Sequence, residues 1–360
     1  MSRSVCLVWL LALWLCGGCS LIYDGEGDCS VHFLVRFVAD MNLAYSDVFA
    51  EEVPSVSLYV FDEDETLVWV GYATAEELNA GGGRYVMEIS DLPAGNYHLV
   101  AWGGLENNSS FSVPVLTIGS SKLNDLTCSL NRKTRADEKD LSDTDLDPLF
   151  HGMADFVIPE EPEPGTYDVE MQLTQDTNQI TVYLQEMDGS ELNQEDYEFM
   201  VEANNGHINH DNSLLIDETP IKYVTWSQYA SAVRSTFAET AAVVVRSAEE
   251  TTTDAEQRSV GPEVVGKLTL SRLVIDDWAE VTRPMLTIKQ RSTGQTLLSI
   301  PLIDYALMVR RISGSQAEEQ EYLDRQSHYD MTFYLENGQW MSHEVIINSW
   351  RIILIDANLD

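Results

Sequence analysis

Basic residues are scarce. The chain has 360 residues, with 21 Lys and Arg against 59 Asp and Glu and a formal net charge of −38. Nucleic-acid binding is excluded as a function, because phosphate recognition needs clustered cations that release counterions. A basic patch on an anionic membrane surface is excluded for the same reason. Long apolar runs are also missing. The longest run near the start, Val5 to Leu15, is too short to span a bilayer, which takes about 20 residues. No Gly-x-Ser-x-Gly elbow, phosphate loop or strand-borne Gly-x-Gly-x-x-Gly occurs, so the common hydrolase and nucleotide signatures are absent. Asp143, Asp145 and Asp147 alternate like calcium ligands, but the Gly and the later Glu of an EF-hand loop are missing. His207-Ile-Asn-His210-Asp211 has no third His or Cys beside it and lies in a turn composition. Both stretches are therefore read as solvated. No enzyme, cofactor, metal or small-molecule substrate is expected.

What is present is a globular composition, 44% hydrophobic and 9% aromatic, enough to offset the ordering entropy. Two-residue periodicity dominates. Val31, Phe33, Val35 and Phe37 share one face of a strand over 31–38. Further strands are expected at 55–61, 66–72, 84–90 and 96–102, separated by turn-rich pieces. The pattern restarts at 167–173, 179–187, 197–203, 264–275, 284–290, 295–303, 330–336 and 344–356. Such spacing predicts an all-β sandwich architecture. A helix is expected within 316–328, which has strong helix formers and no Gly or Pro. The polar stretch 235–263 reads as an insertion. Charges cluster over 132–150, and prolines 159, 162 and 164 follow. An interdomain linker is expected at 156–166, between sandwiches at 29–155 and 167–360.

The N-terminus sets an expected compartment. Arg3 precedes the apolar core of a signal peptide over 1–18, and Gly17, Gly18 and Cys19 follow. This resembles a bacterial lipobox, although Cys16 stands where Leu is usual. Cleavage between Gly18 and Cys19 would leave Cys19 to carry the lipid. Residues 19–28 then form a tether in which Asp24, Glu26 and Asp28 resemble a surface-export signal of some Gram-negative lipoproteins. They fit a plain acidic tether equally well. Of the five cysteines, Cys29 and Cys128 remain beyond the anchor. They are open to a disulfide or to two buried thiols. Arg132, Arg135 and Arg246 read as ordinary exposed bases rather than protease sites.

Asp91 to Trp102, DLPAGNYHLVAW, resembles the turn-to-strand unit of transthyretin-like sandwiches. Together with CSLIYDGEGDC (19–29), the run 35–68, LNDLTCSLNR (123–132), LDPLFHG (146–152) and the series from YLDRQSHYDMTFYLENGQW to INSW (322–350), it is similar to the anchoring-subunit family of type V fimbriae. That resemblance implies two tandem transthyretin-like β-sandwich domains. It implies a lipoprotein of the outer membrane that tethers a fimbrium and limits its length. Its partners would be fimbrial subunits, joined by β-strand addition, and its one functional residue carried over is Cys19. The long apolar segment 344–356 is read as a core strand in preference to a donor strand. The alternative function is a surface adhesin or glycan-binding protein, with Trp69, Trp102, Trp226, Trp278 and Trp340 as the aromatics to examine. A surface hydrolase is a third, weaker reading.

Overall fold

The structure is a computed structural model that describes residues 31–80, 85–135, 138–215, 220–231, 242–245, 262–275 and 283–354. It is all-β, with short helices at the margins.

The first sandwich pairs a three-stranded with a five-stranded sheet. Val31–Val38 is the middle strand of the smaller sheet, parallel to Gly165–Gln172 and antiparallel to Val86–Ile89. The larger sheet runs Thr174–Gln175, Phe150–Ile158, Gly95–Gly103, Val56–Phe61, Leu67–Ala73. Alternation does the sorting. Val35 and Phe37 point inward with Leu58, Val60, Leu99 and Ala101, while Arg36 stays exposed and meets Glu170. The Pro-rich turn after Ile158 crosses between the two sheets of this same sandwich. The expected linker at 156–166 therefore does not separate the two units. Phe156, Ile158, Met171 and Leu173 are all buried in the first core. Strand Phe150–Ile158 escapes the sequence reading because Gly152 and Ala154 leave the middle of its inward face without bulk.

The second sandwich has seven strands in one sheet and six in the other. The seven are Ser227–Ser231, Glu263–Leu270, Asn178–Glu186, His328–Glu336, Gln339–Ile347, Trp350–Leu354 and Ala242–Val245. The six are Thr296–Pro301, Met285–Gln290, Tyr197–Ala203, Ile221–Val224, Glu138–Ser142 and Lys133–Arg135. The charged stretch 132–150, expected within the first sandwich, instead supplies strands to the second, and Glu138–Ser142 lies parallel to Ile221–Val224. The segment 344–356 is a hairpin rather than one strand. Asn348 and Ser349 turn it at φ 48° and 70°, the left-handed pair that a two-residue hairpin turn requires. Both of its strands are core: Val345, Ile347 and Ile352 are fully buried. A helix, Leu302–Ser313, follows Thr296–Pro301 directly, and the expected helix in 316–328 is Glu319–Arg325.

A fifth, four-stranded sheet ties the units together. It orders Leu214–Leu215, His207–Ile208, Cys128–Leu130 and Phe111–Ser112. Under it, Tyr59, Val100 and Trp102 from the outer face of the first sandwich join one apolar cluster with Leu184, Phe199 and Phe333 of the second.

Candidate functional site

Gly18, Cys19 and Cys29 lie outside the described residues, as do Trp278 and Arg246. Cys128 is a free thiol, fully buried in the shared core. Burial raises its pKa, and Asp176 adds to the rise, so the thiol stays protonated and packs as a small hydrophobe. The strand following the expected tether is Val31–Val38. As the middle strand it is held on both sides, and His32 meets Glu88 across the sheet at 2.7 Å.

The histidine stretch is built into the joint between the units, not into a solvated loop. Arg132 donates to His207 Nε2 at 2.8 Å, which leaves His207 Nδ1 to donate to Ser129 Oγ at 2.9 Å. Arg132 also pairs with Asp140 at 3.4 Å, with only 13% of its side chain exposed. It is not the exposed base expected from sequence. His151 Nε2 donates to the carbonyl oxygen of His210 at 2.8 Å, beside the Trp102 ring. Burial lowers the His151 pKa to about 3, so the ring is neutral. Among the described residues no group of three or more His, Cys, Asp or Glu could hold a metal ion.

A buried ion cluster completes the joint. Arg272 donates to Asp176 at 2.8 Å and meets Asp324 at 3.0 Å, and Asn212 donates to the same Asp176 oxygen at 3.1 Å. Burial works to lower the Arg272 pKa, but the two carboxylates outweigh it and hold the guanidinium charged. From the neighbouring helix, Arg325 donates to the carbonyl oxygen of Asp40 at 3.1 Å and lies 4.1 Å over the Tyr45 ring. The alternating aspartates are likewise structural. Asp147 accepts from the backbone and hydroxyls of Ser109 and Ser110, Asp145 accepts from Thr269 at 2.6 Å, and Asp143 pairs with Lys133 at 2.6 Å.

Among the described residues, the tryptophans singled out in the sequence do not form a sugar-stacking platform. Trp102 is fully buried, and Trp69 packs on the first core over Gly71. Trp226 donates to Thr269 at 3.1 Å, and Trp340 packs against the shared core. The open concave surface is elsewhere. A groove of about 390 Å³ lies over the outer face of the five-stranded sheet at its free edge. Its floor is Ser57, Tyr59, Val70 and Tyr72, and its far wall is Val113 to Leu116. Tyr72 is 66% exposed and Val115 98%. Sequence reading missed this site. Its signals were an edge strand apolar on both faces, LVWVGYA, and a Pro-broken apolar run, VPVLTI.

No described helix is long and apolar enough to cross a membrane, which says nothing of crossing by strands. No curated protein matches the chain. Among solved structures, a candidate adhesin of Bacteroides thetaiotaomicron is 27% identical with a TM-score of 0.71, over 90% of this chain and 97% of that one. A candidate polysaccharide-binding protein of the same organism is 26% identical with a TM-score of 0.71, over 91% and 99%. The fimbrial anchor protein Mfa2 of Porphyromonas gingivalis is 15% identical with a TM-score of 0.61, over 91% and 100%, a likeness of fold. The model of the fimbrillin-A associated anchor proteins Mfa1 and Mfa2 matches residues 26–356, nearly the whole chain, and the protein belongs to that family.

Proposed function

We propose that the protein is a non-catalytic, lipid-anchored subunit at the base of a fimbrium. It tethers the fimbrium to the outer membrane, limits its length, and joins it by β-strand addition. The observation that carries this reading is the family match across residues 26–356. Physical features agree with it. Lipid on Cys19 would contribute about 0.8 kcal/mol per buried methylene, so several chains hold a protein in a membrane almost permanently. The residues between Cys19 and Val31 would reach at most about 40 Å when extended, which keeps the first sandwich near the bilayer. A load applied there meets the middle strand of a sheet rather than a peelable edge.

The test is Cys19→Ala in the native bacterium, with fimbriae quantified in washed cells and in the medium. Fimbriae are expected to move into the medium. Fimbriae kept on the cells at normal length, with only this protein lost, would overturn the reading. The second reading, an adhesin or glycan-binding protein, is favoured by the two Bacteroides thetaiotaomicron structures at 26–27% identity. Binding of the purified protein to a panel of host and capsular glycans separates the two.

A further inference from the structure

The joint is closed, with Asp176, Arg272 and Asn212 buried against one another, so the surface for a partner is sought at sheet edges. Most edges are short or occupied. Thr174–Gln175, Leu214–Leu215 and Phe111–Ser112 have two residues each. Ser227–Ser231 is capped by Gln194, whose side chain takes the Ala230 N–H at 2.6 Å. Gly165–Gln172 is long but presents Asp168 and Glu170, with charges along its exposed side.

Leu67–Ala73 differs. One end of its free side is closed: Gly119 donates to the Leu67 carbonyl at 2.8 Å, and the Leu67 N–H reaches Ser121 at 2.9 Å. Just past the other end, Glu77 takes the Thr74 N–H and Glu106 takes the Ala75 N–H, at 2.8 and 2.9 Å. Between these stops, no strand among the described residues pairs with the free side of 68–73. The groove opens beside this window. Polar groups along it are already used: Ser55 Oγ accepts from the Glu106 N–H at 3.0 Å, and Thr74 Oγ1 donates to Glu77 at 3.0 Å. What it offers is an apolar wall and an unpaired main chain. That combination suits an extended polypeptide, which binds by main-chain hydrogen bonds with alternate side chains in pockets. A small polar ligand would need convergent free polar groups. The rim is acidic, with Glu63, Asp64 and Glu65 at one end and Glu76, Glu77 and Glu106 at the other.

We infer that the free edge 68–73 is the acceptor for an extended segment of a fimbrial subunit, a segment apolar at alternate positions and flanked by Lys or Arg. The alternate apolar side chains lie between Tyr72 and Val115. This site rests on the anchor reading above, and the test keeps the two apart.

Tyr72→Asp and Val115→Asp alter exposed side chains, and the thermal melt of each purified variant reports that it folds. In the native bacterium, each is expected to leave this protein in the membrane and to lower cell-retained fimbriae at least tenfold. If both variants keep fimbriae at the wild-type level while Cys19→Ala sheds them, the site is wrong and the anchor reading stands. If Cys19→Ala sheds none, the anchor reading fails and takes the site with it. Hydrogen exchange on the purified protein supplies the second readout. Adding purified fimbrial subunit from the same bacterium is expected to slow the amides of 68–73 at least tenfold. Binding with no slowing there overturns strand addition at this edge.

Discussion

At the scale of single residues, the polar side chains that look solvated in the sequence are the ones that lock the molecule. His151 shows the consequence. Its ring sits against Trp102 and donates to His210, and burial brings its pKa down from 6.5 to about 3. The unfolded chain takes up this proton below pH 6.5 and the folded chain does not. Stability is therefore lost as pH falls through that window, by up to about 1.4 kcal/mol per pH unit. Replacing His151→Gln removes this contribution and retains an N–H for the His210 carbonyl. Between pH 7 and pH 5 the wild type is expected to lose up to about 2 kcal/mol more than the variant in urea titrations. Equal losses would show that His151 does not govern acid sensitivity. Burial raises the pKa of Asp176, which works in the opposite direction, but Asp176 is common to both proteins and cancels in the difference. None of this was legible in the sequence. His207, His210 and Arg132 stand among Asn, Gly and Lys, and their roles arise only when 128–132 and 207–212 are brought together.

At the scale of elements, the strands were legible wherever one face was apolar and bulky. Val31–Val38 and Tyr197–Ala203 fall where alternation puts them. The helix Leu302–Ser313 was not legible, because Thr296–Pro301 runs into it and the joined apolar run reads as one strand. Its own signals are clear in retrospect. Leu302, Ile303, Tyr305, Ala306 and Val309 are the buried stripe, and Arg310 and Arg311 stand in the last turn, where the helix dipole favours cations. Gly314 ends it at φ 72°. A Cβ there would meet nothing within 4 Å, so the cost of Gly314→Ala is backbone strain alone. Equilibrium unfolding is expected to show a loss of about 1 kcal/mol, with Gly314→Asn losing less. Identical stabilities for Gly, Ala and Asn would show that the left-handed cap contributes nothing. The hairpin at Asn348 and Ser349 was hidden in the same way, since apolar residues on both sides of the turn blur it into one segment.

At the scale of the whole molecule, a charge-rich stretch followed by prolines suggests two independent domains, and the packing argues otherwise. Composition registers solvation, but it does not register pairing. Glu138–Ser142 belongs to a charge-rich stretch and still lies in the second sandwich's six-stranded sheet, while Asp145 and Asp147 are pinned to Thr269 and to Ser109 and Ser110. The apolar cluster beneath is continuous. Trp102 and Val100 lie on the outer face of the first sandwich, Leu126 and Leu149 lie between the units, and Phe199 and Phe333 lie in the second. Arg325 reaches Asp40 and Tyr45 across the joint, and Arg272 binds the Asp176 that links the two units in the chain. In the proposed anchor, force entering at Val31 would pass through a continuous core rather than a hinge. Unfolding should accordingly be one event. Leu126 is fully buried between the units, and Leu126→Ala removes a large buried side chain at a cost of about 2–5 kcal/mol. In calorimetry the wild type is expected to melt in a single transition, and the variant in a single transition roughly 3–7 °C lower. If the variant instead splits into two peaks, with one left at the wild-type temperature, the sandwiches fold independently and the shared core does not couple them.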